Sequence, residues 1–340
     1  MESGDNPVLF VSLTGDEAIK LFDIDGETGA PTLRATSSAH GPTGPLFLHP
    51  DKSKLFAAHV GSTTLASFNL DRDSGELSLI SKVDTGLSTP SHSITDRAGR
   101  FLLTAFYGGG GTTTHRLGED GSIGELVQRI DTGIKAHCIR LDASERFVFV
   151  PHVCPTNKTN QFRFDVESGQ LTPNEPAEVI PPDDNTGPRH LCFSNDGDTI
   201  YIINEQGNTV TAHRFDEESG TLTMFQHLDT LPAGADRSGH TAHIEMHPNS
   251  KWVYASNRGH DSLVGFSVDS DGSLSAFGHF SVPSSPRSFN IEPGGRFLYC
   301  AGESAGRLVV FRVDQNSGAL DPVDDFEVGK SPFWVMTATL

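Results

Sequence analysis

One short apolar motif recurs seven times along the chain and limits the available folds more than any other feature. Its copies are LFVSLTG from Leu9, LFAAHVG from Leu55, FLLTAFYG from Phe101, FVFVPHV from Phe147, TIYIINE from Thr199, WVYASNR from Trp252 and FLYCAGE from Phe297. The first and last lie 288 residues apart over six intervals, a mean period of 48. Each copy is followed by a second strand-like run, in five cases ending in Asp (LFDID, SFNLD, QFRFD, AHRFD, VFRVD), then a turn such as ESG and a further short strand. Most are preceded by a strand and a turn such as HPDKSK, TDRAGR or EPGGR. Four strands in about 48 residues, bounded by Gly, Asp, Asn and Ser, match one blade of a β-propeller. The expectation is an all-β, seven-bladed β-propeller with four antiparallel strands per blade, a single domain over residues 1–340.

The first unit lacks a leading strand, whereas FWVMTATL at the other end of the chain has no partner. Placing Phe333 to Leu340 innermost in the blade formed by residues 8–39 closes the ring and leaves no open sheet edge there.

Composition excludes several classes of function. A formal charge of −19 lacks the basic face that phosphate binding requires, so no nucleic-acid partner is expected. The first residues, MESGDNPVLF, have neither the basic nor the apolar region of a signal peptide, and no apolar run approaches the roughly 18 residues of a membrane span. A soluble cytoplasmic protein without a membrane partner is expected, as a monomer or weak homo-oligomer. Cys138, Cys154, Cys192 and Cys300 show no C-x-x-C spacing and read as reduced thiols, three of them within apolar runs. The sequon at Asn157 carries no weight without a secretion signal.

The repeat register shows where charge gathers. In a tight hairpin the start of the first strand lies beside the end of the second, so every unit contributes both positions to one mouth of the ring. Six residues after the start of each second strand stand Gly15, Gly61, Tyr107, Val153, Glu205, Arg258 and Glu303. Ten residues before that start stand Pro45, Ser91, His137, Arg189, Ala242 and Arg287, followed by Leu46, His92, Cys138, His190, His243 and Ser288. Three arginines, two glutamates and four histidines therefore converge. Arg189 with Glu205, and Arg287 with Glu303, have equal spacing about Gly197 and Gly295 and are expected to pair across their hairpins. Exposed pairs of this kind act only as weak staples. His137, His190 and Arg258 beside the first pair point beyond that. The histidines come from different blades without short ligand spacing, and the arginines would repel a dication, so neither a metal nor another cofactor is expected. The YGGGG run from Tyr107 lies on the same mouth, either presenting N–H groups to substrate oxygens or forming a flexible loop.

The segments FLLTAFYGGG, AHCIRLDASERFVFVP, GPRHLCFSNDGDTIYIINE, WVYASNRGHDSL and PRSFNIEPGGRFLYCAGES resemble the seven-bladed lactonase family. It contains propeller-type 6-phosphogluconolactonases and fungal carboxy-cis,cis-muconate cyclases. The resemblance covers nearly the whole chain. It implies that His137, Arg189, Glu205 and Arg258 are the catalytic residues, with His92, Tyr107, His190, His243, Arg287 and Glu303 around the substrate. Phe106 stands where the family usually has Asn, and His243 where an acidic residue is common, which bears on substrate choice. The implied reaction is hydrolysis of a sugar lactone, phosphorylated or not, to the open-chain acid. Either Glu205 or His137 would activate water, with Arg189 and Arg258 holding the oxyanion and a substrate carboxylate or phosphate. Glu205 between two arginines would be weakly basic, which favours His137. Two alternatives remain: cycloisomerisation of a carboxymuconate, and a non-catalytic propeller whose face binds protein. The latter would want exposed aromatics at the mouth, where Tyr107 is the main one.

Overall fold

The computed structural model describes residues 7–340. The reading of the leader rests in large part on residues 1–6, which lie outside the described residues. The described residues form seven antiparallel sheets of four strands and contain no helix. Within each blade the second strand is buried along nearly its whole length, as at Phe101–Phe106, because it is flanked by paired strands and by both neighbouring blades. The outermost strand is mostly solvated, as at Leu320–Glu327. Hydrophobicity is therefore continuous in the middle of a blade and alternating or polar at its rim.

The ring is closed as expected. Pro332–Thr339 is the innermost strand of blade one and pairs with Pro7–Leu13 in the register Phe10 to Met336 and Val11 to Val335. Ser12 accepts a hydrogen bond from the Trp334 N–H at 3.0 Å, and Ser288 of blade seven accepts one from Val335 at 3.1 Å.

Seven apolar clusters hold the ring, one at each junction of adjacent blades. A repeated turn sharpens these junctions. Asp216 accepts hydrogen bonds from the backbone of Glu218 and Ser219, and the turn ends at Gly220 with φ +74°. A Cβ at Gly220 would lie 2.0 Å from the Phe147 ring of blade four, so the glycine serves both the left-handed backbone and the close approach. Gly318 repeats this against Trp252 of blade six, and its carbonyl accepts the Tyr254 hydroxyl at 2.6 Å.

Candidate active site

The innermost strands are irregular where they reach the mouth. In blade five Pro188 pairs with Asn204 but His190 pairs with Ile203, so Arg189 is the extra residue of a bulge. Blade seven repeats this: Pro286 pairs with Gly302 and Ser288 with Ala301, leaving Arg287 unpaired. Blade three does the same at Ser91. A bulge turns a side chain away from its ladder position, and these bulges bring the arginines to their glutamates. In blade four the innermost strand is reduced to Arg140–Leu141, with an isolated bridge between Ala136 and His152. His137 sits in the irregular backbone between them, held by its own N–H to the Pro151 carbonyl at 2.9 Å.

Both expected pairs form. Arg189 Nε donates to Glu205 Oε2 at 2.8 Å, and Arg287 Nη1 lies 3.5 Å from Glu303 Oε2. Arg258 Nη2 approaches the same Glu205 oxygen at 3.2 Å and donates to the Thr241 carbonyl at 2.9 Å. Burial alone would raise the Glu205 pKa, but the guanidinium groups of Arg189, Arg258 and Arg287 outweigh it and hold the carboxyl below its ordinary range.

A cavity of about 200 Å³ opens at this point. Tyr107, His137, Glu205, Arg258 and Arg287 supply its polar lining, and Val60, Pro90 and Phe333 its apolar lining. The guanidinium of Arg287 lies over the Phe333 ring at 4.3 Å, so the closing strand contributes directly to the site. Lys135, which the repeat register does not reach, donates to the Tyr107 hydroxyl at 2.8 Å. The nearby cations are thus Arg189, Arg258, Arg287 and Lys135, against the carboxylates of Glu205 and Glu303. The site carries net positive charge within a strongly acidic protein.

Four of the ten sequence-derived site residues lie away from the cavity wall together with a fifth, Arg189. Arg189, expected to hold a substrate group, is only 1 % exposed and pairs with Glu205 without lining the cavity. Its Nη1 also donates to the Ala242 carbonyl and lies 3.2 Å from His190 Nε2. Glu303 pairs with Arg287 without lining the cavity. His92, His190 and His243 are buried and likewise do not line the cavity. They are joined to His137. His137 Nδ1 lies 3.3 Å from His190 Nε2, His190 Nδ1 lies 2.7 Å from His243 Nδ1, and His243 Nε2 lies 2.9 Å from Glu245 Oε1. Trp334 packs against His92, His190 and His243, with ring centroids 5.5 to 5.9 Å apart. Burial, and after it the charge of Arg189, holds the His137 and His190 imidazoles well below the ordinary histidine pKa.

The ring nitrogens of His137, His190 and His243 face one another instead of a common point, and among the described residues no three His, Cys, Asp or Glu side chains are placed to hold a metal ion. Part of the glycine run is tied into the blade. Gly109 N donates to the Ser88 carbonyl at 2.8 Å, and a Cβ at Gly111 would lie 2.4 Å from the Ile130 carbonyl. The run lets two backbones approach and so holds Tyr107, whose N–H donates to Thr89 at 2.8 Å.

Residues 8–337 match the family model described as "Lactonase, 7-bladed beta-propeller". Among curated proteins, the 6-phosphogluconolactonase of Serratia proteamaculans is 31 % identical over 96 % of this chain and 98 % of its own length. That of Pectobacterium carotovorum is 32 % identical over 98 % and 99 %. Among solved structures, the periplasmic gluconolactonase PpgL of Pseudomonas aeruginosa superposes with a TM-score of 0.90 at 27 % identity, covering 98 % of this chain and 99 % of that one.

Proposed function

Because the chain belongs to the seven-bladed β-propeller lactonase family, we propose that it hydrolyses a sugar lactone to the open-chain aldonate. The observation that carries this reading is the meeting of His137, Arg258 and Arg287 on the wall of one cavity of single-ring size. His137 takes a proton from water as the water oxygen attacks the lactone carbonyl carbon. The carbonyl oxygen gains the electron pair, and Arg258 and Arg287 stabilise it with donors already in place. The intermediate collapses by breaking the ring C–O bond, and the proton on His137 passes to the departing alkoxide. The new carboxylic acid then ionises. Glu205, held below the ordinary carboxyl range, serves as the anion that orients Arg258 instead of as the base. The excess of cations at the site favours a substrate that is itself anionic, which places 6-phosphogluconolactone ahead of its unphosphorylated analogue.

A pH-stat assay tests the proposal, with gluconolactone, 6-phosphogluconolactone and galactonolactone releasing acid on opening and carboxymuconate taking up a proton on lactonisation. The expected result is a rate above spontaneous opening with at least one of the sugar lactones, removed by His137→Ala. Turnover of carboxymuconate alone, or of none of the four, overturns it.

A further inference from the structure

The three linked histidines have a hydrogen-bond direction that their neighbours dictate. A guanidinium can only donate, so Arg189 Nη1 requires an acceptor at His190 Nε2. Neutral His190 then carries its proton on Nδ1 and donates it to His243 Nδ1. His243 in turn carries its proton on Nε2, which faces Glu245 Oε1. The carboxylate end demands the same direction, since an ionised Glu245 can only accept. Its other oxygen accepts the Ile291 N–H at 3.1 Å. Asn290 Nδ2 also donates to Glu245 Oε1, and Asn290 cannot turn its amide around, because its Oδ1 accepts both the N–H and the hydroxyl of Thr337 at 2.6 Å.

At the cavity end, His137 Nδ1 lies 3.3 Å from the same His190 Nε2, which has no proton to give, so His137 Nδ1 carries one and shares that lone pair with Arg189 Nη1. The basic lone pair of His137 is left on Nε2, the ring nitrogen that the chain does not engage. We infer that Glu245, with His243 and His190, forms a positioning chain that fixes the tautomer of His137 and so decides which of its nitrogens can act as the base. This assignment rests on the proposed role of His137. A direct role for Glu245 in substrate binding is not implied: two imidazoles stand between it and His137, and it lines a separate recess with Arg140 and Cys192. Glu245 is a positioning residue, in the sense that its effect reaches the reacting atoms only through other side chains.

Two measurements test this. The ring ¹⁵N shifts of histidine-labelled protein, assigned by single substitutions and read without substrate, should show His137 and His190 protonated on Nδ1 and His243 on Nε2. A wild-type spectrum with His137 protonated on Nε2 overturns the inference whether or not any lactone is turned over. Kinetically, Glu245→Leu removes the acceptor. It should lower kcat about 10-fold or more while leaving KM unchanged, because the substrate never meets residue 245. Glu245→Gln should recover only part of that rate, since its amide oxygen can occupy the Oε1 position and accept from both His243 and Asn290 but its NH2 then meets the Ile291 N–H. An unaltered kcat in Glu245→Leu, or a Glu245→Gln protein as impaired as Glu245→Leu, overturns the inference. The labelled spectrum separates that failure from failure of the lactonase reading, which would leave the tautomers in place and all four substrates untouched.

Discussion

Arg189 and Arg258 reach the same Glu205 oxygen, and substitution separates what each does. Arg189→Ala leaves a buried carboxylate and the Ala242 carbonyl short of a donor, so it should lower stability by about 3–5 kcal/mol as well as activity. Arg258→Ala, at the cavity wall, should reduce kcat by roughly 10²-fold with little change in melting temperature. Thermal denaturation alongside steady-state kinetics checks both; a normally stable Arg189→Ala protein would remove the structural role given to that residue. His137 acts as a base only when neutral. Burial first, then Arg189 and Arg287, lower its pKa, so the acid limb of kcat/KM should fall below pH 6.5, and Arg287→Met should move that limb upward. The two Arg–Glu pairs are legible in the sequence because the hairpins repeat with one spacing. The bulges that aim them are not legible, since nothing in PRH or PRS marks an extra residue. Lys135 escapes because it stands two residues before the register position that His137 occupies. Glu245 had an available signal: two residues from His243 on one strand, it must share that histidine's face.

At the scale of the strand, the seven repeats and the closing partner follow from apolar periodicity, which is why the architecture can be derived in full from the chain. The shortness of the innermost strand of blade four cannot, because AHCIRL is as apolar as its counterparts and only tertiary contacts interrupt its ladder. The closing strand Pro332–Thr339 pairs along all of Pro7–Leu13 and bonds blade seven through Ser288 and Asn290. Deleting residues 333–340 should cost roughly 4 kcal/mol or more and should abolish activity with it, since Phe333 and Trp334 leave the site. Denaturant unfolding of the truncated chain measures the first effect; an unchanged midpoint would contradict the closure.

Across the whole molecule, buried histidines make folding stability depend on pH with a definite sign. His92, His137, His190 and His243 are all held below the ordinary histidine value by burial first, and His152 and His213 are lowered to about 4. Between that range and pH 6.5 the unfolded chain binds protons that the folded chain refuses, so stability is complete above 6.5 and falls as pH drops through the window. Each such histidine contributes about 1.4 kcal/mol per pH unit, which makes the combined slope steep. Urea midpoints from pH 7.5 down to 4.5 should therefore decline progressively; a flat profile would mean that these rings are protonated in the folded protein.

Because the strand that completes blade one follows the other 27 strands of the described residues in chain order, the ring cannot close until that strand has been made. Until that strand emerges from the ribosome, the nascent molecule carries six sheets with their innermost strands in place and a first sheet whose inner edge is bare. Such an edge is a template for pairing with other chains and a natural target for chaperones. Phe333 and Trp334 arrive with the same strand, so the cavity and the histidine chain are finished in the step that seals the ring, and a chain arrested before it would be both sticky and inert.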